Sequence, residues 1–405
     1  MYYWRLLCAV VVVLLVLVLI LVVGKDKDST RVHMVNLVNQ VFVHKDKKHK
    51  SDLVAKGGSH ELVVWKCIGA VEEWKVGEYL DKPGTIFVSV ASYRDDECTD
   101  TVSALFDMAD NPEDIFVGVV QQNSKDATED CFDRCPSCAK RKRSGNIRVT
   151  NFSHLEAKGP TFARYHASKL WRGEEFYLQI DSHIKFEQGW DTTMIEQIRD
   201  TNDPDAVLGH YPPSEKQIHD MRETGFKEFV TMTTTSTPGV DGLPEIKGEV
   251  KQVGNRSTPD PVYVMGANLI CFPGRVLYDM SFDPYLSYLF FGEELLFSAR
   301  LWTHGYNMYA PLKAFASHHY GRDDKPKYST DHKEAEQCRK QAVQRVKYMF
   351  GLAEAQHVHP DYLIEVEKYG MGKKRKLSDY LSLIGKKGKK PGVRKNTEKP
   401  KSGVE

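Results

Sequence analysis

Two kinds of apolar segment occur along the chain of 405 residues. Residues 6–23 form an unbroken run of 18 apolar residues, whereas every later run is much shorter. A charge-free run of this length is typical of a transmembrane helix. The alternative, a cleaved signal peptide, has an apolar segment of only ~7–15 residues and a small-residue cleavage site. We therefore expect an uncleaved signal anchor at residues 6–23.

The charges that flank this run indicate its orientation only weakly. Arg5 and the α-amino group precede it, and residues 25–28 (KDKD) nearly cancel in charge, although acidic residues count little in the positive-inside rule. The bulk of the chain follows the run, and a lumenal body is the simplest arrangement for it. We expect a single-pass type II protein, with residues 1–5 in the cytoplasm and the body in the lumen of the Golgi or the ER.

After residue 83 the short apolar runs alternate between strand-like and helix-like spacing. Four of them are suited to buried strands: residues 85–91, 115–120, 147–149 and 175–181. Residues 100–109 and 161–171 have apolar positions at helical spacing. This alternation favours an α/β fold, a parallel sheet with helices on both faces. Ligands bind such sheets at the carboxyl ends of strands, so polar residues just past each strand are candidate site residues.

Two segments interrupt this pattern. Residues 24–83 are polar and Lys-rich at first and predict a stem and a lead-in segment. Residues 212–260 are loop-like, being rich in Thr, Ser, Gly and Pro, with TMTTTSTP at 231–238. A long surface loop of this kind is often a lid or an acceptor-binding insert, and it is equally consistent with disorder.

The net charge of +1 is the sum of two unlike parts. The segment 370–405 holds twelve Lys or Arg against three Asp or Glu. This segment is therefore strongly basic, and the rest of the chain has a net negative charge. We expect residues 387–405 to be a disordered basic tail, which is either a solubilising end or an arm for acidic acceptors or lipid headgroups. The composition, 41% hydrophobic and 27% charged, excludes collagen-like and mostly disordered proteins. We expect no nucleic acid partner.

The cysteines fit an oxidising compartment. One lies in the apolar run and seven follow it, so at least one of the seven is unpaired. Cys131, Cys135 and Cys138 are clustered, but no fourth ligand of a zinc knuckle follows at a usual spacing. Loop disulfides are the favoured alternative. The sequons at Asn151 and Asn255 would be glycosylation acceptors if the body is lumenal.

The strongest candidate site follows the strand at 175–181. Asp181 and His183 are two residues apart at a strand end, where a carboxylate and an imidazole can face one divalent ion such as manganese. A polar turn with a capping Asp is the alternative for this tripeptide. The buried strand in front of it favours the metal site.

Paired acids form a second candidate. Glu293 and Glu294 follow Gly292 at the start of a helical pattern. They could position an acceptor hydroxyl or act in proton transfer. Alternatively, they are first-turn acids that the helix dipole favours.

Two further segments offer cationic and imidazole groups. His318 and His319 would point to opposite faces of a strand, so only one of them can join the metal site. Arg322 could pair bidentately with a phosphate. The loop at Gly159 enters a helix, where backbone N–H groups and Arg164 would favour an anion.

One chemical task unites these parts. A divalent ion with Arg support neutralises the charge that develops on a departing diphosphate, as in transfer from a sugar nucleotide. Metal-assisted phosphodiester hydrolysis uses similar groups, but such sites usually hold two metals with more carboxylates than this sequence offers.

Several long motifs resemble the eukaryotic polypeptide α-N-acetylglucosaminyltransferase family, which includes a cytosolic hydroxyproline-directed enzyme and Golgi enzymes of trypanosomatids. The resemblance covers roughly residues 84–386 and is carried by residues 86–98, 111–122, 157–191 and 283–306. It implies a GT-A fold (Rossmann-like, nucleotide-diphospho-sugar transferase), a catalytic domain at 84–386, and distant similarity to polypeptide GalNAc-transferases. It also implies a retaining, metal-dependent transfer of GlcNAc from UDP-GlcNAc, with Mn²⁺, to Thr, Ser or hydroxyproline of an acceptor polypeptide.

The resemblance also implies roles for single residues. The metal ligands would be Asp181, His183 and His318, with His319 as the fallback because the doubled His leaves the match ambiguous by one. The groups that bind the nucleotide and diphosphate would be Ser92, Tyr93, Arg94, Asp95, Gly159, Arg164 and Arg322, together with Asp181. Glu293 and Glu294 would lie at the sugar and acceptor end, and no general base is assigned.

Two alternatives remain open. The hydroxyproline-directed enzyme has no anchor, so the resemblance cannot supply the acceptor. The protein could instead be a GT-A transferase for another UDP-sugar or a glycan acceptor. It could also be an anchored, non-catalytic sugar- or protein-binding module, although such a module would be expected to have lost some of these site residues.

Overall fold

The protein is described from a computed structural model, in which residues 67–68, 71, 76–77 and 81–385 are described. The predicted signal anchor at 6–23, most of the predicted stem and the predicted tail at 387–405 lie outside these residues. Among the helices in the described part of the chain, none is both long and apolar enough to cross a membrane.

Strands and helices alternate along most of the described chain. The strands are β1 Lys82–Tyr93, β2 Ile115–Asn123, β3 Ile147–Ser153, β4 Glu174–Asp181, β5 Ile184–Phe186, β6 Ala206–Gly209, β7 Glu228–Pro238, β8 Pro244–Gln252, β9 Asp260–Val262, β10 Leu269–Pro273, β11 Asn307–Ala310 and β12 Ala316–His318. The helices are α1 Cys98–Asp107, α2 Cys138–Ser144, α3 Pro160–Ser168, α4 Trp190–Asp200, α5 Glu215–Glu223, α6 Val276–Asp279, α7 Glu293–Thr303, α8 Tyr328–Asp331, α9 Ala335–Met349, α10 Val366–Tyr369 and α11 Leu377–Gly385.

An eight-stranded mixed sheet forms the centre of the described structure. Its strand order is β3-β2-β1-β4-β10-β6-β11-β9. Strands β3, β2, β1 and β4 run parallel, whereas β10 is antiparallel to both of its neighbours, β4 and β6. The predicted α/β class is therefore confirmed, but the sheet is mixed rather than all-parallel. The carboxyl ends of β1 and β4 are adjacent, which brings the loops that follow them together.

The sequence of β1 explains its central position. Its β-branched and aromatic residues suit a strand that is covered on both faces. Ile86 and Val90 belong to the large core that also contains residues of α1 and α4. Ala91, on the other face, packs with Ala163 of α3. Helices thus cover both faces of the sheet, and α3 lies on the face opposite to α1 and α4.

The prediction that residues 212–260 are loop-like is wrong for most of the segment. It contains α5, which begins at a Ser214 capping box, and the antiparallel hairpin β7–β8. The Thr-rich stretch 231–238 lies within β7. Thr is β-branched and favours strands even though it is polar, so the polar composition concealed the strand.

The described cysteines form three disulfides, Cys67–Cys338, Cys98–Cys131 and Cys135–Cys138. Cys271 is free and buried. The clustered cysteines are therefore paired as disulfides, not arranged as a zinc knuckle. The first disulfide ties residue 67, from the predicted lead-in segment, to α9.

Candidate active site

The pairing of two short strands assembles the predicted metal ligands. β4 ends at Asp181, and β5 begins three residues later. β12 pairs antiparallel with β5, with His318 opposite Ile184. This register places His318 next to His183, and the centroids of the two imidazole rings lie 4.6 Å apart. Residues that are distant in sequence thus meet at the carboxyl end of the sheet.

Asp181, His183 and His318 form a cluster that could hold a metal ion. Their potential ligand atoms all lie within 4.8 Å of one another. Oδ2 of Asp181 and Nε2 of His318 are 3.4 Å apart, and neighbouring ligands of an octahedral ion are separated by about 3 Å. Nδ1 of the buried His318 has no hydrogen-bond partner among the described residues. One carboxylate and two imidazoles are a donor set that suits divalent first-row transition metals, so these residues fit a divalent ion.

The carboxyl group of Asp181 is held in its ionised form. Burial opposes ionisation, but the hydrogen bond with His318 and the positive charge of Arg164 outweigh it, so the pKa of Asp181 is well below its ordinary value. A carboxylate in this state is available as a ligand for a cation.

Asp95, just after β1, connects several parts of the site. Its carboxylate is 2% exposed. Oδ2 accepts from the Ser182 hydroxyl at 2.5 Å and lies 2.9 Å from Nδ1 of His183. Arg322 donates to both of its oxygens, at 2.9 and 2.6 Å. Burial raises the pKa of Asp95, but these interactions with His183 and Arg322 reverse the shift and leave it lowered.

The loop that follows β12 crosses the acidic segment after β1. Nδ1 of His319 lies 2.8 Å from Glu97, and Lys325 donates to Asp96 at 3.0 Å. His319, the fallback ligand, therefore faces Glu97, whereas His318 faces Asp181. This difference follows from the alternation of side chains at a strand end.

Arg164 occupies a buried position between two carboxylates. Gly159 adopts a φ of +84° at the N-cap of α3, a conformation that favours glycine, and the chain then enters the helix. Arg164 lies in this helix and is 4% exposed. Its guanidinium donates to Asp181 at 2.9 Å and to Glu293 at 2.6 Å. Its described partners are thus carboxylates, although the sequence predicted that it faces a diphosphate.

The two acids at the start of α7 have different surroundings. Glu293 accepts from Arg164, whereas Glu294 accepts from the Tyr211 hydroxyl at 2.8 Å and from the Ala267 N–H at 2.9 Å. Burial raises the pKa of both acids, and these donors oppose that shift only in part. Both oxygens of Glu294 are engaged with the protein, so Glu293 is the better candidate for contact with a substrate.

The predicted nucleotide-binding segment, which comprises the end of β1 and the start of the loop after it, is held by charged neighbours. Arg94 donates to Asp331 at 2.8 Å and to Glu129 at 3.0 Å, and the Tyr93 hydroxyl donates to Asp331. The buried Ser92 hydroxyl has no hydrogen-bond partner among the described residues. Asp331 of α8 thus fixes the far side of this loop.

A cavity of about 320 Å³ lies at the carboxyl ends of β2 and β3. Gln121, Asn123, Asn151 and Phe152 contribute to its lining. Ser124, also at its wall, donates to the same Glu129 that holds Arg94. The cavity is polar and large enough for a small ligand.

Several residues of the site were not predicted from the sequence. Tyr211 and Glu97 follow the ends of β6 and β1, so the rule that polar residues past strand ends carry function could have identified them. Lys325 lies in an irregular segment and Asp331 ends the short helix α8, and no sequence pattern indicated their partners.

Comparison with known proteins identifies the family. A family model described as "Glycosyltransferase (GlcNAc)" matches residues 85–142 and 130–388, which is well over half of the chain. The chain belongs to this GlcNAc glycosyltransferase family. No curated protein matches it in sequence.

Solved structures of glycosyltransferases resemble this family member only distantly. GalNAc-T7, solved with UDP, GalNAc and Mn²⁺, is 11% identical over 74% of this chain, with a TM-score of 0.49. The match covers 56% of that structure, so this chain spans little more than half of its length. Residues 1–349 of S. aureus TarS, in complex with UDP-GlcNAc, are 17% identical over 75% of this chain and 76% of that chain, with a TM-score of 0.42.

Proposed function

We propose that the protein is a metal-dependent, retaining glycosyltransferase of the GT-A type that transfers N-acetylglucosamine from UDP-GlcNAc to a hydroxyl of an acceptor polypeptide. The observation that carries the proposal is the cluster of Asp181, His183 and His318 at the carboxyl end of the sheet in a member of a GlcNAc glycosyltransferase family. A divalent ion in this cluster, which we propose to be Mn²⁺, would neutralise charge on the departing diphosphate.

The proposed donor site lies on both sides of this cluster. The cavity at the carboxyl ends of β2 and β3 is proposed to take the nucleoside, because its walls are polar and Ser124 in its lining shares Glu129 with Arg94. Arg322 lies beside His183 and is proposed to support the diphosphate by charge. The N-terminus of α3, at Gly159, adds backbone N–H groups that favour an anion.

Glu293 is proposed to face the sugar and acceptor. Its carboxylate lies on the other side of Arg164 from Asp181, so one guanidinium separates the metal cluster from the acid. Glu294 is proposed to fix the first turn of α7 through its hydrogen bonds with Tyr211 and Ala267, and so to hold the neighbouring Glu293 in place. The acceptor is proposed to be Thr, Ser or hydroxyproline of a secretory protein, and the enzyme to be a type II protein of the Golgi or ER.

The test is UDP release from a panel of UDP-sugars, with Mn²⁺ and then with EDTA. We expect UDP to be released fastest from UDP-GlcNAc in the presence of an acceptor peptide. We expect this release to be lost when EDTA is added and in the variant Asp181→Ala. The matched control is Asp107→Ala, an exposed Asp at the end of α1, which should keep wild-type activity.

Each failure points to a different part of the proposal. Release that persists in EDTA and in Asp181→Ala would contradict the metal cluster. A preference for UDP-GalNAc would contradict the donor and leave the class of reaction intact. Transfer to free glycans but not to peptides would contradict the acceptor.

A further inference from the structure

We infer that Asp95 is a positioning residue for metal binding, which holds the imidazole of His183 through Nδ1 so that Nε2 is left to bind the ion. The inference rests on the proposed metal cluster and goes beyond it, because Asp95 is not among the three ligands. It also replaces the expectation that Asp95 contacts the nucleotide.

The burial of Asp95 excludes it as a nucleotide ligand in this conformation. Its side chain is 2% exposed, and its two oxygens accept hydrogen bonds from the protein. Oδ1 accepts from Arg322 and from the Glu97 N–H at 3.0 Å. Oδ2 accepts from Ser182 and Arg322 and contacts His183. The carboxylate has therefore no surface to offer to a substrate.

The chemistry of the two partners decides which nitrogen of His183 carries the proton. An ionised carboxylate only accepts hydrogen bonds, so the nitrogen that faces Asp95 at 2.9 Å must be the one with a hydrogen. Arg322 also approaches this nitrogen, but its two terminal nitrogens each donate to an oxygen of Asp95, and a lone pair on Nδ1 would be repelled by the carboxylate oxygen that lies 2.9 Å away. In neutral His183 the lone pair is then on Nε2, which is the form that binds a metal.

The same arrangement fixes the orientation of the ring. Ser182, which lies between two proposed ligands in sequence, donates to Oδ2 of Asp95 at 2.5 Å. The turn after β4 is thus attached to the segment after β1 at two adjacent residues. A metal-ligating His that is held by a carboxylate in this way typically loses 10–100-fold in metal affinity when the carboxylate is removed.

Asp96 provides a matched control for the loss of negative charge. It is adjacent in sequence, its side chain is 46% exposed, and it pairs with Lys325 instead of a ligand. Asp95→Asn and Asp96→Asn both remove one negative charge near the cluster. Only the first of them alters the partner of His183, and its amide N–H₂ can turn towards Nδ1 and favour the wrong tautomer.

The experiment is a titration of the purified full chain with Mn²⁺, in which electron paramagnetic resonance measures unbound Mn²⁺. No donor, acceptor or turnover is needed. We expect Asp95→Asn to bind Mn²⁺ about 10–100-fold more weakly than the wild type. Asp96→Asn should stay close to the wild type, and Asp181→Ala should bind most weakly. The ¹⁵N shifts of the His183 ring in the metal-free protein should report Nδ1–H in the wild type and a changed tautomer in Asp95→Asn.

The outcomes separate this inference from the proposed function. Wild-type affinity in Asp95→Asn, or equal losses in Asp95→Asn and Asp96→Asn, would overturn the positioning role while Asp181→Ala still defines a metal site. No binding by the wild type would overturn both proposals. If Asp95→Asn does not fold, judged by circular dichroism in EDTA, Ser182→Ala removes only the hydroxyl that holds Asp95. The Ser182→Ala variant should then fold and bind Mn²⁺ more weakly than the wild type. Unchanged Mn²⁺ binding in this variant would contradict the inference.

Discussion

The guanidinium group of Arg164 joins Asp181, at the end of β4, to Glu293, at the start of α7. Its two terminal nitrogens donate to these carboxylates at 2.9 and 2.6 Å, and the Arg164 side chain is 5% exposed. Breaking a buried pair leaves an unpaired charge in a medium that solvates it poorly. This cation thus holds two carboxylates of the proposed site close together.

Replacing Arg164 should therefore damage stability and activity together. We expect Arg164→Met to lower the free energy of unfolding by about 3–5 kcal/mol, because two buried carboxylates lose their partner. Urea denaturation measures this loss. Arg199→Met, at an exposed position near the end of α4, is the control and should change little. A fully stable Arg164→Met would mean that the two carboxylates do not depend on this cation.

Glu293 and Glu294 should differ in what their loss affects. Glu293→Gln should lower kcat for UDP-sugar turnover by about 100-fold or more if Glu293 contacts the reacting groups. Glu294→Gln should instead lower stability by about 1–2 kcal/mol, because the amide cannot accept from both Tyr211 and Ala267. Steady-state kinetics measure the effect of each variant on turnover, and thermal melting measures its effect on stability. Glu196→Gln, at an exposed position, is the control. The reverse pattern would assign the substrate contact to Glu294.

Stability should fall with acid because of the buried His210. Burial lowers its pKa from 6.5 to about 4, and the Tyr211 backbone offsets this only in part. Between these values the unfolded chain takes up a proton that the folded protein does not bind. The free energy of unfolding should therefore fall as pH drops from about 6.5 to about 4, by up to about 3 kcal/mol from this group.

The variant His210→Phe tests this assignment. It should flatten the pH dependence of unfolding between pH 4 and 6.5, measured by denaturant titration at several pH values. The comparison at pH 8, where the imidazole is neutral in both states, isolates the packing cost of the substitution. An unchanged slope in His210→Phe would assign the acid sensitivity to other groups.

The disulfide between Cys67 and Cys338 closes the longest covalent loop in the described structure, with a sequence separation of 271. Cross-links that close long loops restrict the unfolded chain most. The double variant Cys67→Ser/Cys338→Ser should lose about 2–5 kcal/mol in non-reducing denaturation. Cys135→Ser/Cys138→Ser, with a separation of 3, is the control and should lose less. Equal losses would argue against an effect of loop length.

The sequence predicted the parts of the fold that local patterns determine. β1 and β4 were predicted because they are rich in apolar β-branched and aromatic residues, as in strands covered on both faces. The structure extends β1 to Lys82–Tyr93 and begins β4 at Glu174. The hairpin β7–β8 was missed because its strands are polar and Thr-rich. The antiparallel direction of β10 depends on distant pairing and leaves no mark in its own sequence.

The composition of the site was predicted better than its contacts. Asp181 and His183 follow a predicted strand, so their proximity could be inferred from chain order alone. The bonds of Ser182 with Asp95 and of Arg164 with Glu293 join residues 87 and 129 positions apart. Their geometry depends on the packed sheet, and no spacing rule describes it. The sequence could therefore identify these residues as candidates for the site, but it could not predict their hydrogen-bond partners.

The short strand β12 has one more consequence. Asp181 and His318 are separated by 137 positions, and each lies at the end of a different strand. An ion held between them would act as a reversible cross-link that exists only when both strands are in place. Such an ion stabilises the folded chain in proportion to the logarithm of its concentration, by about 2.7 kcal/mol at one hundred times its dissociation constant. If the proposed ion binds there, its concentration would affect how much of the protein is folded as well as the rate of transfer.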